Sequence, residues 1–157
     1  MADIVSDGMT KVSWVSTISN IAAPTTAELN GGVSLETFLT PDGLSIGTTT
    51  DSVDNTALSS TQNTSLVGRR NDDITLTFKD QGRSAAPWTT FASNPNGYLV
   101  VRRGVTVGTS WAASQKVSVW TAQAGYRQEV SPAANELQKF EVGLMISGAV
   151  NDAATTT

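Results

Sequence analysis

Residues Asp73-Ile74-Thr75-Leu76-Thr77-Phe78-Lys79 alternate polar and apolar side chains without a break. A strand sends successive side chains to opposite faces, so Ile74, Leu76 and Phe78 turn to a core while Asp73, Thr75, Thr77 and Lys79 turn away. The same pattern returns near the C-terminus. There Phe140, Val142, Leu144 and Ile146 form an apolar face, with Lys139, Glu141, Gly143, Met145 and Ser147 on the other. Two half-buried strands of this kind point to a mainly antiparallel β fold.

Working outward, MTKVSWVSTISNI (9–21) is rich in β-branched and aromatic residues and predicts a first strand. In PTTAELNGG (24–32), Thr25 or Thr26 opens a short helical turn that Gly31-Gly32 must close. VSLETFLT (33–40) predicts a second strand, ended by the turn signal Pro41-Asp42-Gly43. The stretch from Gly47 to Asn63 is polar and rich in Ser and Thr, which predicts a long loop anchored only by Val53, Ala57 and Leu58. TSLVGRRNDDITLTFKD (64–80) predicts a hairpin whose turn holds Gly68, Asn71 and Asp72. Pro87, Trp88, Phe91 and Ala92 predict a helix that stops at Asn94-Pro95-Asn96-Gly97. Further strands are expected at 98–103, 116–124 and 137–150, with an extension of the sheet through Arg127 to Val130. No internal repeat is visible.

These elements predict an antiparallel β-sandwich or partly closed barrel with one flanking α-helix and a long polar loop. Residues 1–150 are expected to form a single β domain, and 151–157, NDAATTT, a flexible tail. The 157-residue length and 39% hydrophobic content suit one core. No run reaches the roughly 18 apolar residues of a membrane span, and Asp3 and Asp7 stand where a signal peptide would be basic. The expectation is a soluble protein made in the cytoplasm, without membrane insertion. A net charge of −4 argues against tight nucleic-acid binding, which needs a basic face.

The chain has no histidine and no cysteine. That removes the usual nucleophile and base pairs and the common zinc and iron ligand sets. Of the remaining chemistry, Asp72 and Asp73 beside Arg69 and Arg70 read as turn residues or an inter-subunit salt bridge rather than a catalytic pair. Asp51 and Asp54 have a loosely calcium-like spacing but lack the other acidic ligands of such a loop. Arg102 and Arg103 offer forked donors to phosphate or carboxylate, with ordinary pairing to acidic neighbours the plainer reading. Trp14, Trp88, Trp111 and Trp120 are the raw material of a sugar platform. Trp14 and Trp88 fall in patterned elements that favour the core, whereas Trp111 follows Gly108-Thr109-Ser110 and is expected to be the exposed one. The expected outcome is no catalytic residue, no metal and no cofactor.

Several strings, PTTAELNGGVSLETFLTPDGL (24–44), STQNTSLVGRRNDDITLTF (60–78), PNGYLVVRRGV (95–105), QKVSVWTAQAGYRQEVSP (115–132) and Ala134 to Phe140, resemble the tail tube (major tail) proteins of long-tailed, non-contractile phages, especially those infecting actinobacteria. The resemblance runs from about residue 10 to 148. It implies a non-enzymatic virion subunit, assembled in the host cytoplasm, whose six copies form a ring and whose rings stack into a tube for DNA. Its partners would be further copies of itself, tape measure, tail tip and terminator proteins, and DNA in transit. Six copies would carry 6 × −4, about −24, a charge that repels phosphate. On this reading the polar loop, with Thr49, Asp51, Val53, Asp54, Leu58 and Thr61, is an arm that orders against a neighbouring subunit or ring. The faces carrying Asp73, Thr75, Thr77 and Lys79, and Lys139, Glu141 and Ser147, are expected to line the lumen. The alternatives are a carbohydrate-binding or adhesion β-sandwich module and a tail terminator or neck ring protein.

Overall fold

The computed structural model describes residues 2–157. Seven strands, β1 (Thr10–Val15), β2 (Val33–Ser34), β3 (Leu39–Asp54), β4 (Ser65–Lys79), β5 (Asn96–Arg103), β6 (Lys116–Glu129) and β7 (Lys139–Thr155), form one antiparallel sheet. Its order is β2-β1-β5-β6-β7-β4-β3. The fold is mainly β, as the alternation implies, and the sheet is not closed into a barrel. Two five-residue helices accompany it, α1 (Thr26–Asn30) and α2 (Ala86–Thr90).

The sheet is strongly curled. Three strands lie between β1 and β4, so in a flat sheet they would be about 19 Å apart. Yet Phe91, just after α2, has its ring centroid 5.3 Å from that of Trp14 on β1 and 5.7 Å from that of Phe78 on β4. The concave side therefore wraps around Phe91, and Val12, Leu76, Leu99, Trp120, Val142 and Leu144 fill the remaining space. A second, smaller core lies on the other face, where Leu29 of α1, Ile18 and Trp111 cover Val15, Val100, Val117, Val119 and Ala154. Full burial of one such side chain is worth about 1.5–3 kcal/mol.

Helix α1 starts where Thr25 was expected to open it. The Thr25 hydroxyl accepts from the Glu28 N–H at 3.2 Å, and the Glu28 carboxylate accepts from the Thr25 N–H at 2.9 Å, a reciprocal capping box. Glu28 also accepts from the Ser19 N–H and hydroxyl, which pins the chain after β1. These N–H donors, Thr25 first and then Ser19, hold the Glu28 carboxyl down at about 2.

Several elements differ from the sequence reading, each for a local reason. The predicted strand over 33–40 breaks after Ser34, because Leu35 starts a turn in which its carbonyl accepts from Phe38 and Leu39. Pro41-Asp42-Gly43 is not a turn between strands but a bulge within β3, between the pairs Leu39↔Phe78 and Leu44↔Leu76. Gly43 is required there, since a Cβ would lie 2.4 Å from the Thr77 carbonyl oxygen. The polar loop expected from Gly47 to Asn63 is strand as far as Asp54, and the residues given to a turn, Gly68, Asn71 and Asp72, lie in the middle of β4. Gly68 marks a bulge: Gly68 and Arg69 face Asp51 alone between the pairs Thr50↔Arg70 and Ser52↔Val67. The expected flexible tail over 151–157 is instead mostly strand β7. Ala154 and Thr156 are buried, the Thr156 hydroxyl accepts from the Gln115 N–H at 2.9 Å, and Thr157 exchanges backbone bonds with Pro24 and Thr26.

Candidate functional site

β3 and β4 run on as a pair past the last bond of β4 to β7. β4 pairs with β7 only from Ile74↔Leu144 to Lys79↔Lys139, whereas β3 and β4 stay paired out to Asp54↔Ser65. The outer part, from Gly47↔Asp73 to the tip at 55–64, is a two-stranded arm about 25 Å long. Every residue of β3 from Gly47 to Asp54 is exposed. On this arm the structure brings together all the residues expected to contact a neighbour: Thr49, Asp51, Val53 and Asp54 on the strand, Leu58 and Thr61 at the tip.

The arm carries apolar surface that no described residue covers. Val53 is 53% exposed, Leu66 58%, Val67 85% and Leu58 fully so. Val53 and Leu66 are direct partners across the ribbon. Leu66 and Val67 went unnoticed in the sequence because their segment was read as one limb of a smaller hairpin. Polar pairs stiffen the base. The Thr48 hydroxyl donates to Asp72 at 2.6 Å, Arg70 forms an ion pair with Asp72 at 3.0 Å, and it reaches Asp152 of β7 at 3.3 Å across a cleft of about 610 Å³. Asp72 and Asp152 in turn raise the pKa of Arg70. Asp51 accepts from the Asn71 amide at 3.2 Å, and Asp54 accepts from the Thr56 N–H at 2.8 Å, with the Thr56 contacts lowering its pKa. Among the described residues no cluster of acidic groups is built to hold a metal ion.

The two faces expected at the lumen are one surface. The register sets Thr75 opposite Gly143, Thr77 opposite Glu141 and Lys79 opposite Lys139, on the convex side of β4 and β7. Asp73 and Ser147 continue it and are exposed. Its charged members, Asp73, Glu141, Lys79 and Lys139, balance in sign.

Two other candidates are corrected. Arg102 is 0% exposed and binds no external anion: its guanidinium donates to the carbonyls of Thr106 (3.1 Å), Thr109 (2.8 Å) and Ser110 (3.2 Å) and to Gln115 Oε1 (2.9 Å). Burial pushes its pKa down, against the attraction of Glu36. A strand position followed by glycine looked open, but the 104–115 loop folds back over it. Trp111 rides on that loop and is 7% exposed, packed in the second core with the Arg102 guanidinium 5.0 Å and Lys11 Nζ 5.1 Å from its ring. Trp14 and Trp120 are buried, and Trp88 lies between core and solvent with Arg83 and Arg127 stacked on its ring at 3.9 and 4.0 Å. The four tryptophans form no exposed platform. Arg103, by contrast, is exposed and lines a surface groove.

Comparisons with solved structures find the same fold in cryo-EM structures of large assemblies. A chain of the anti-feeding prophage baseplate, solved with six-fold symmetry, superposes with a TM-score of 0.60 at 14% identity, covering 96% of each chain. The sheath/tube terminator of an extracellular contractile injection system gives 0.60 at 14% identity, over 96% of this chain and 97% of that one. The tube-terminating cap of the anti-feeding prophage gives 0.60 at 14% identity, over 98% and 94%. At this identity they establish the fold. No curated protein matches the chain by sequence. The profile of one family, described as phage tail tube protein, matches residues 1–157, the full length. The chain belongs to the phage tail tube protein family.

Proposed function

We propose that this chain is the structural subunit of a tail tube, in which rings of copies, six per ring, stack around a lumen that conducts phage DNA. The observation that carries the assembly step is the arm, because it holds four exposed apolar side chains on an otherwise polar ribbon. A lone hairpin of this kind is marginal in water and gains stability by packing against something else. The long-tailed, non-contractile phage type follows from the sequence resemblance given above, whereas one of the matched structures is of an extracellular contractile injection system. The convex surface of β4 and β7 lines the lumen in this reading. Its hydroxyl and glycine positions, with balanced charge, give DNA phosphates little to hold.

The test is negative-stain electron microscopy of the purified chain concentrated near physiological salt. Hollow tubes are expected. Single rings that never stack would point instead to a terminator, and persistent monomer would refute self-assembly. A variant tests the arm: Thr49 to Asn71 replaced by an Asn-Gly turn, which rejoins the paired residues Thr48 and Asp72. It should keep the circular dichroism of the parent and form no tubes; normal tubes would overturn the arm's role.

A further inference from the structure

We infer that the arm of one copy seats its tip in a specific groove on a second copy, the groove between the N-terminal segment and the start of β3. The inference rests on the assembly reading above and adds where the arm binds. The groove has a volume of about 920 Å³, and its apolar lining includes Ile4, Val5, Val12, Leu39, Leu44 and Val107. Val12 and Leu39 are buried and form its floor, while Ile4 and Val5 are 69% and 68% exposed. Its shape is set by backbone bonds: the Val107 N–H donates to the Gly8 carbonyl at 2.8 Å and the Gly104 N–H to the Met9 carbonyl at 3.0 Å. These tie the N-terminal segment to the loop after β5 and leave Ile4 and Val5 facing water.

Three observations identify the occupant. First, groove and arm both leave apolar side chains uncovered, Ile4 and Val5 on one and Val53, Leu58, Leu66 and Val67 on the other, and joining them removes both from water. Second, the arm cannot reach its own groove. Leu44 lines the groove, and β3 runs as paired strand from there to Asp54, so at ~3.3 Å per residue Val53 stands about 30 Å away. The partner must be another copy. Third, a local charge match is available at the exposed Arg103, in a groove that is neutral overall, with Arg103 and Lys79 against Asp7 and Glu36. From Asp51 to Leu66 the arm has two carboxylates, Asp51 and Asp54, and no Lys or Arg, whereas the exposed Arg103 and half-buried Lys79 line the groove. Of the groove's own carboxylates, Asp7 is exposed, and Glu36 has one oxygen sealed from solvent without a partner among the described residues. Tip and groove are different surfaces, so the contact is head-to-tail and repeats from copy to copy instead of closing a two-fold dimer.

The chain has no cysteine, so introduced ones report cleanly. One preparation carries Leu58→Cys and the other Val5→Cys, both exposed positions; they are mixed, assembled and oxidised. A disulfide needs Cα atoms within about 7 Å, so Leu58–Val5 cross-linked dimers should exceed those of a control pair, Leu58→Cys with Ser131→Cys, by roughly tenfold on a non-reducing gel. Tubes with no excess over the control overturn the groove and leave the assembly reading standing; a parent chain that never assembles overturns both. Should either cysteine block assembly, charge reversal decides. Arg103→Glu should raise the concentration needed for tubes, and adding Asp54→Lys should lower it again; no rescue, with folded protein in both cases, counts against the groove.

Discussion

Replacing Arg102 by methionine tests whether a buried cation can hold a loop in place without any carboxylate partner at bonding distance. The guanidinium donates four hydrogen bonds, yet the loss would not be fourfold. The Thr106 carbonyl still accepts from the Thr109 N–H at 2.9 Å, and the Ser110 carbonyl from Gln115 Nε2 at 3.1 Å. Gln115 Oε1 loses its partner, and the Thr109 carbonyl keeps only Lys11 at 3.4 Å. Gln115 is half-buried and Thr109 exposed, so water partly replaces the lost donors and the two acceptors cost about 1 kcal/mol each, the low end for an unpaired group. Against this, methionine removes a buried charge whose desolvation already pushes its pKa down. The expected net loss is about 1–2 kcal/mol, a fall of roughly 2–8 °C in Tm for a chain of this length. Urea denaturation followed by tryptophan fluorescence measures it, with Trp111 as a reporter beside the site. Arg102→Lys, which restores charge but not the fork, should recover only part. A methionine variant as stable as the parent would mean that charge burial outweighs the four bonds, and the account of the 104–115 loop would fall.

Gly97→Ala should destabilise by about 1–3 kcal/mol, because its Cβ would lie 2.7 Å from the Trp14 ring and 2.8 Å from the Val15 carbonyl; an unchanged denaturation midpoint would show that Trp14 can yield. Glu28→Gln isolates an acid-sensitive contribution. The folded pKa, about 2, lies below the usual 4.5, so the carboxylate stabilises fully above pH 4.5 and loses its effect as pH falls from 4.5 towards 2. The variant should be less stable by about 1 kcal/mol at pH 7 and lose that part of the acid dependence, read from urea midpoints at several pH values. Cysteines at Thr77 and Ser147 should react readily with a bulky thiol reagent in the monomer and poorly in intact tubes; equal labelling in tubes would remove the convex surface from the lumen.

Legibility followed burial. The Ile74, Leu76, Phe78 and Phe140, Val142, Leu144 faces were readable because one side meets a core and the other does not. The arm was not, because both of its sides meet solvent: Thr48, Thr49, Thr50 and Val53 have the β-branching of a strand but no alternation to reveal it. Gly68 and Pro41-Asp42-Gly43 look in sequence like turns between strands, and only the register identifies them as bulges inside strands. Arg102 and Trp111 misled for the opposite reason. Polar and aromatic residues near glycines suggest surface, and the loop that buries them is specified by a hydrogen-bond pattern with no sequence signature. Expected contact residues therefore landed on one arm even though its secondary structure was misread.

The arm is a ribbon two strands wide, and its stiffness is unequal by direction. Along its length any pull is borne by two covalent chains; across it, ladder bonds hold them in step; out of its plane only the pleat opposes motion. A joint made of such ribbons bends easily, resists stretching and twists with one preferred hand. Filaments linked this way would curve under thermal forces without their joints parting.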